Sequence, residues 1–489
     1  MSSIEKFKIR KSSVFAFSPT TALLLATVAL LAGYLAFANQ DFPFGFHPDE
    51  GFKVAFSEGQ AHNYKHPPLL IVLARIVGWC VGAASDHDFL IIGRSISAVA
   101  VIGSTVALYL TLMRLADPAQ AFIWACIFAA SPVIAVHGHY FKEDALLVLA
   151  ICLGLHALLK LKAEASLVNI LYFGFVLGIA ISAKYPGVVN SAGMFLVAAV
   201  WGGVSRRQLG VVALMATATV GLVFVASFAT QEGGSIQTVI AGFLYELGHA
   251  QRGHDLKEWF WAGYGLTHFV YHLVPGLTGF TVLVGILAIG LSVSVDRNRT
   301  TSALAIAALL WLFILELSPL KLVGSVRYVL PIVPYLVAAA CVAFSTSVRP
   351  RYPSTAVAVA VVALSITFHA GYSYVRNMEP ENDTRLTSAK FVAENHLTNV
   401  MLDYPAGLPD RYENVGSYDY LVSTRFRRYD RGGRLSQQDQ ITYKLSSMFH
   451  CLDGHVIGEF SKVYGDFATV APTVKIYDLK ASRNCIPTF

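Results

Sequence analysis

Titratable side chains in this sequence gather in a few short clusters, the first of which is His47-Pro48-Asp49-Glu50. A carboxylate such as Asp49 can act as general base toward an acceptor hydroxyl if it is ionised and within hydrogen-bond reach. The plainer reading is a helix start, with Pro at the first position and acids in the first turn. Phe52, Ala55 and Phe56 would then form an apolar stripe. The second cluster, His137-Gly-His139-Tyr-Phe-Lys-Glu143-Asp144, again has acids suited to a helix N-terminus. Its density of titratable groups exceeds what capping requires. A pair of His residues next to two acids can also hold a divalent ion, making His139, Glu143 and Asp144 metal candidates. Lys184-Tyr185-Pro-Gly187 ends an apolar run at a helix breaker, where the Lys can cap a helix C-terminus. Between Tyr245 and Trp261, Glu246, His249, Arg252, His254, Asp255 and Lys257 are interleaved with aromatics.

These clusters are set between long apolar runs. Of 489 residues, 55% are hydrophobic and 14% charged, against about 25% charged in an ordinary soluble domain. With a mean hydropathy of +0.55, that excludes a soluble enzyme and a disordered chain, and leaves a multi-pass membrane protein. The +6 formal charge is not concentrated in a patch, as a nucleic-acid binder would have it. Apolar runs cover 20–38, 95–113, 119–136, 145–159, 167–183, 188–204, 209–229, 270–294, 301–317, 328–347 and 354–375. A bilayer core of about 30 Å takes about 20 helical residues, so these predict eleven crossings.

The connections on one side hold Lys6, Lys8, Arg10 and Lys11, then Arg114, Lys160 with Lys162, Arg206 with Arg207, Arg297 with Arg299, and Arg349 with Arg351. By the positive-inside rule that side is cytoplasmic. The pattern holds only if the apolar stretch 67–84, with Arg75 in its middle, does not cross. Residues 39–93 are therefore an outer loop with 67–84 as an interfacial helix, the N-terminus is inside, and 230–268 is a second large outer loop. Ala36-Phe37-Ala38 has the form of a cleavage site, but the run before it is long enough to be a retained anchor.

On this topology, Asp49, Glu50, Lys53, Lys65, His66, Arg94, Glu143, Asp144, Lys184, Glu246, His249, Arg252, His254, Lys321 and Arg327 stand at the outer ends of helices. Cations there run against the positive-inside trend and call for an anionic ligand, most simply the phosphate of a lipid carrier. The spans themselves are nearly free of ionisable groups, unlike those of proton- or ion-coupled transporters.

After Tyr374 the chain turns polar. Turn clusters, the alternating segment 473–479 and a helical stretch 388–396 predict a small α/β domain over 376–489. Cys80, Cys126, Cys152 and Cys341 lie in apolar segments, which leaves Cys451 and Cys485 as candidates for a disulfide in an oxidising compartment.

Taken in order, several motifs carry a resemblance. They are Asp49-Glu50 in a long first outer loop, His66-Pro-Pro-Leu69, Arg94-Ser95, Glu143-Asp144, Lys184-Tyr185-x-Gly187 and Arg327-Tyr328-x-x-Pro-x-x-Pro334. This order resembles the GT-C glycosyltransferases of the family-39 type, which include protein O-mannosyltransferases and the bacterial lipid A aminoarabinose transferase. The resemblance spans most of 1–375, the segment it marks as the transmembrane catalytic domain. It implies inverting transfer of a hexose or pentose from a polyprenyl-phosphate donor to a glycolipid, lipopolysaccharide or protein hydroxyl, on the outer face of a bacterial plasma membrane. It also implies that Asp49 is the catalytic carboxylate with Glu50 beside it, and that Glu143 and Asp144 contact metal or sugar. Lys184 and Arg327 would lie near the donor phosphate. Bacterial relatives often place Lys directly before Pro-Pro, whereas here His66 follows Lys65, and an imidazole binds phosphate only when protonated.

The chemistry agrees. A phosphate-linked sugar carries its own leaving group, so one base and a set of cations suffice, and no Gly-rich phosphate loop is needed. The competing readings are a transporter or flippase of a lipid-linked sugar, and a polymerase or ligase acting on polyprenyl-linked glycans. Neither the sugar, the acceptor, the metal dependence nor the oligomeric state is written in these residues.

Overall fold

The computed structural model describes residues 18–41, 49–201, 204–252, 266, 268–317, 326–402, 414–423, 444, 447–461 and 473–487. Helices dominate. In chain order they are α1 (Pro19–Phe37), α2 (Glu50–Ser57), α3 (Leu69–Val81), α4 (Asp86–Leu115), α5 (Pro118–Ala130), α6 (Pro132–His137), α7 (Asp144–Ala163), α8 (Leu167–Ala183), α9 (Pro186–Trp201), α10 (Arg206–Thr230) and α11 (Ile236–Arg252). There follow α12 (Val274–Leu277), α13 (Gly279–Ser294), α14 (Arg299–Leu317), α15 (Ile332–Ala343), α16 (Arg349–Arg351), α17 (Pro353–Arg376) and α18 (Thr384–Glu394).

Seven helical stretches among the described residues are long and apolar enough to cross a membrane, and an eighth if a bent pair counts as one. The other expected crossings, 119–136, 167–183 and 188–204, correspond to shorter apolar helices. Two runs that looked continuous are broken. Pro132 disfavours helical backbone at Ser131, whose ψ is 134°, so α5 stops and α6 starts anew. The run 270–294 turns by 97° between Phe269–Leu277 and α13. Pro275 and Gly276 precede Thr278, which sits at φ 69°, and a π-helical turn over Phe269–Leu273 leads in.

At 13 residues α3 is too short to span, being about 20 Å long at 1.5 Å per residue. Its Trp79 is 86% exposed, as suits a helix lying at an interface. The expected stripe on α2 divides: Phe52 is 65% exposed, while Phe56 is buried with its ring edge-on to His62 at 4.7 Å.

The bundle core is built where α4 runs along α7, α8 along α10, and α1 against α4 and α5. Three basic connections meet at one end. There Arg349 pairs with Asp117 at 2.7 Å and Arg351 with Asp296 at 2.6 Å. The acids and bases around Asp49 and Asp144 gather at other helix ends, described below.

Beyond α17, β1 (Val400–Leu402), β2 (Tyr420–Ser423), β3 (Val456–Phe460) and β4 (Val474–Asp478) form one sheet in the order β1-β2-β4-β3. β1 and β2 are parallel and the other pairings antiparallel. Alternation along the strands sends Leu421 and Tyr477 to one core with Leu452 and Cys485. Val422 and Ile476 face another, with Phe391 of α18. β4 matches the strand expected over 473–479, and α18 begins four residues before the helix expected at 388. Cys451 and Cys485 are disulfide-bonded, with Cα atoms 5.5 Å apart.

Candidate active site

Four helix ends bring the acidic and basic motifs together. Asp49 is the N-cap of α2 and Glu50 its first residue, yet Asp49 makes no side-chain capping bond. Its carboxylate instead pairs with Lys142 and, at 3.4 Å, with Arg327 Nη1, while remaining 37% exposed. Charge-assisted contacts of this kind are the strong ones. The Asp49 carboxylate thus reaches solvent between two cations and leaves the start of α2 without a side-chain cap.

Glu50 has a different environment. Arg94 Nε and Nη2 donate to its two oxygens at 2.9 and 2.7 Å, and Phe141 N–H adds a third bond at 3.1 Å. Both side chains are fully buried, and Arg94 Nη1 also donates to Gln40 O at 2.8 Å. This geometry makes Glu50 and Arg94 an internal brace between α2 and α4, not the catalytic and substrate-binding groups the motif order suggested. Buried, bidentate pairing leaves neither an accessible face.

The 137–144 segment is held against α4 from several sides. Gly93 makes room for it, since a Cβ there would fall 2.2 Å from the Phe141 ring. Ser97 Oγ donates to Lys142 O at 3.3 Å. Glu143 pairs with Lys53 of α2. Asp144, the first residue of α7, accepts from Lys184 Nζ at 2.5 Å. That Lys caps α8, and the chain turns so tightly after it that a Cβ on Gly187 would lie 1.9 Å from Ala180 O. The Tyr328 ring lies 5.6 Å from both Lys184 Nζ and Arg327 Cζ, a cation–π platform beneath two of the cations.

His66 stands among these charges. Burial, reinforced by Lys53, Lys142, Lys184 and Arg327, holds its pKa well below the usual imidazole value. The ring is therefore neutral near pH 7 in the unliganded protein. Lys142 is buried too, and desolvation with the nearby Arg327 lowers its pKa to about 8, against the pull of Asp49 and Asp144.

The remaining candidates lie to the side or elsewhere. Lys65 rests over the Tyr245 ring of α11, 3.7 Å from its centroid. Tyr185 O–H donates to Tyr64 O at 2.7 Å and meets Phe243 edge-on, tying α9 to the loop before α3. The side chains of His249 and Arg252, at the end of α11, and all of Lys321 lie outside the described residues.

The metal reading does not fit. Both ring nitrogens of His139 lie 2.7 Å from backbone carbonyls, of Ala135 and Ala38. Glu143 and Asp144 are bound to two different lysines. Among the described residues no group of three or more His, Cys, Asp or Glu side chains is arranged to hold a metal.

Lys142 was not among the expected site residues, and Lys53 was expected in the outer-end cluster but without a role. Lys142 lies within a motif that drew notice for its acids, and its signal was a cation directly preceding two carboxylates. Lys53 follows Asp49 by one helical turn, the spacing that sets two side chains on one face.

Comparison with known proteins gives a consistent picture. Residues 65–230 match the model of the dolichyl-phosphate-mannose-protein mannosyltransferase family. The fold is similar to ArnT from Cupriavidus metallidurans bound to undecaprenyl phosphate, with TM-score 0.53, 14% identity, and coverage of 76% of this chain and 72% of that one. It is also similar to the Archaeoglobus fulgidus oligosaccharyltransferase tethered with an acceptor peptide, with TM-score 0.51, 16% identity and 81% of this chain covered. The match spans 59% of that archaeal chain. No curated protein matches by sequence.

Proposed function

We propose that this membrane protein, which carries the GT-C fold and resembles O-mannosyltransferases and ArnT, transfers a sugar from a polyprenyl-phosphate donor to a hydroxyl acceptor on the outer face of the membrane. The observation that carries this reading is the partly exposed Asp49 carboxylate held between Lys142 and Arg327. The relatives support it: one is described with undecaprenyl phosphate bound, the other with an acceptor peptide. The topology read from the charge pattern supports the outer face, with eleven crossings and a C-terminal α/β domain outside.

The chemistry follows from the residues. Lys142 and Arg327 receive the donor phosphate, which competes with Asp49 for the same two cations. Asp49, relieved of part of that pairing, becomes a better base and takes the proton of the acceptor hydroxyl as its oxygen attacks the anomeric carbon. The bond from that carbon to phosphate breaks, and the charge left on the departing phosphate is stabilised by Lys142 and Arg327. One displacement inverts the anomeric centre. Glu50–Arg94, Lys53–Glu143 and Lys184–Asp144 keep this geometry fixed, as preorganised electrostatics requires.

The test is transfer of labelled sugar from polyprenyl-phosphate donors to an extract of envelope glycolipids and proteins, with movement of the lipid across vesicles measured in parallel. Asp49→Asn is expected to cut transfer at least a hundredfold and leave the protein folded. Unchanged transfer would remove Asp49 as base. Lipid movement without transfer in the wild type would make the protein a flippase.

A further inference from the structure

The two faces of α11 have different surroundings. Ile236, Ile240, Leu244 and Leu247 recur every three or four residues and so line one face, where they are between 48% and 67% exposed. Thr238, Gly242 and Glu246 line the opposite face, and there Gly242 is buried. A continuous exposed apolar stripe marks an interaction surface.

The place of α11 in the chain names the partner. α10 is long and apolar enough to cross a membrane and keeps Leu214, Leu222 and Val225 exposed as lipid-facing side chains. It ends at Thr230, and α11 begins at Ile236 after a short turn. That turn is fastened beside α2, with Gln231 Nε2 donating to Phe56 O at 3.2 Å and Glu232 N–H to Gly59 O at 3.4 Å. Phe52 of α2 and Ile76 and Trp79 of α3, which packs on α10, are exposed in the same neighbourhood. The stripe of α11 continues this apolar rim. A helix apolar on one face and polar on the other lies in the plane of the membrane interface rather than across the membrane.

The buried face of α11 grips the turn that leads into the site. A Cβ on Gly242 would fall 2.3 Å from Tyr64 O and 2.6 Å from Asn63 O, so only glycine lets the helix approach this backbone. Tyr64 is fully buried at φ 47°, a left-handed conformation that bulky residues avoid. Its O–H meets Ser227 Oγ of α10 at 3.0 Å, and its carbonyl accepts from Tyr185 O–H. Phe243 of α11 packs edge-on against the Tyr185 ring. Two site residues adjoin this clamp in sequence: His66 follows Tyr64 by two residues, and Lys184 directly precedes Tyr185.

We infer that α11 lies in the membrane leaflet bordering the site, with Ile236, Ile240, Leu244 and Leu247 in the acyl region, and that through Gly242 and the Tyr64 turn it seats His66 and Lys184. The lipid bilayer is thus a partner in assembling the site, and a lipid-linked ligand meets the assembled form where it enters. The membrane contact stands on the geometry of α11 alone, whereas the coupling rests on the donor reading above.

The experiment uses the full-length protein in lipid nanodiscs. Cys80, the exposed free cysteine, is replaced by Ser. A fluorophore is attached at Leu244→Cys or, as an aqueous control, at Glu394→Cys on α18, where the native side chain is 62% exposed. Iodide in solution is expected to quench the label at 244 at least fivefold less than the label at 394, and a doxyl phospholipid at least fivefold more. Equal iodide quenching at the two positions overturns the membrane contact. Protection from both quenchers overturns it too, and assigns the stripe to a second copy or another protein.

The coupling is read in the affinity for undecaprenyl phosphate. Leu244→Glu puts a charge in the acyl region, where it is costly, and Gly242→Ala drives a methyl group into the Tyr64 backbone. Each is expected to weaken binding at least tenfold with little change in thermal unfolding, and Gly242→Ala is expected to keep the quenching pattern at 244. Unchanged affinity in Leu244→Glu overturns the coupling, and this variant decides the matter if Gly242→Ala does not fold. A wild type that binds no undecaprenyl phosphate removes the donor reading and the coupling together, while the quenching still decides where α11 lies.

Discussion

Asp49 and Glu50 are consecutive in the chain, yet their carboxylates occupy opposite environments. Glu50 is sealed against Arg94 with both oxygens bonded, while Asp49 reaches the surface between Lys142 and Arg327. The helix start at α2 produces this split, since successive side chains on a helix point about 100° apart.

Substitution should separate the two roles. Glu50→Gln leaves Arg94 buried without its counter-charge, which costs about 3–5 kcal/mol. Thermal unfolding in detergent should therefore move down sharply, and loss of activity should follow loss of fold. Asp49→Asn, which removes a carboxylate that is 37% exposed, should lower thermal unfolding much less than Glu50→Gln while transfer falls. Equal thermal shifts in the two variants would contradict this division.

The alkaline limb of activity should belong to Lys142. Its pKa lies near 8, below that of an ordinary lysine, so the side chain is charged below pH 8 and loses its proton as the pH rises through that value. Donor capture, read as kcat/KM, should decline above about pH 8 for that reason. Lys142→Arg keeps its charge throughout this range, so the limb should vanish even if the maximal rate is lower. A limb that persists unchanged in that variant would assign it to another group.

Gly93 sets the position of the 137–144 segment through Phe141. Gly93→Ala puts a methyl group into the Phe141 ring, overpacking worth about 1–3 kcal/mol. Transfer should drop, and a second change, Phe141→Leu, should restore part of it. Without any rescue, the loss would have to be assigned to a cause other than this contact.

The Cys451–Cys485 bond closes a loop with a sequence separation of 34 residues, and its removal should cost about 3–4 kcal/mol by loop entropy. Cys485→Ser should make the segment after α17 sensitive to limited proteolysis and leave the helical bundle intact. Equal resistance with and without the bond would show that the sheet core alone holds this segment.

Much of this was legible in the sequence because each feature has a direct physical signature. A span must be long and apolar, so the runs announce the helices. Cations at an unexpected membrane boundary need an anion, so Lys184 and Arg327 stand out. Other features were not legible, for equally physical reasons. Hydropathy averaged over a window conceals a single Ser131-Pro132 break or the bend at Thr278. Glu50 and Arg94 look as reactive as Asp49 until their facing direction is known. Lys142 was overlooked because a Lys beside two acids resembles ordinary charge balance, and its partner Asp49 lies 93 residues away. The pairing of Lys53 with Glu143 spans a similar gap.

The most direct measurement is the affinity of undecaprenyl phosphate for the wild type and for Asp49→Asn, taken alongside sugar transfer. If Asp49 is the base and shares Lys142 and Arg327 with the carrier phosphate, the variant binds that lipid as tightly or tighter, because a competing carboxylate is gone, while transfer falls at least a hundredfold. Weakened binding of the lipid, or transfer that survives the substitution, would contradict it.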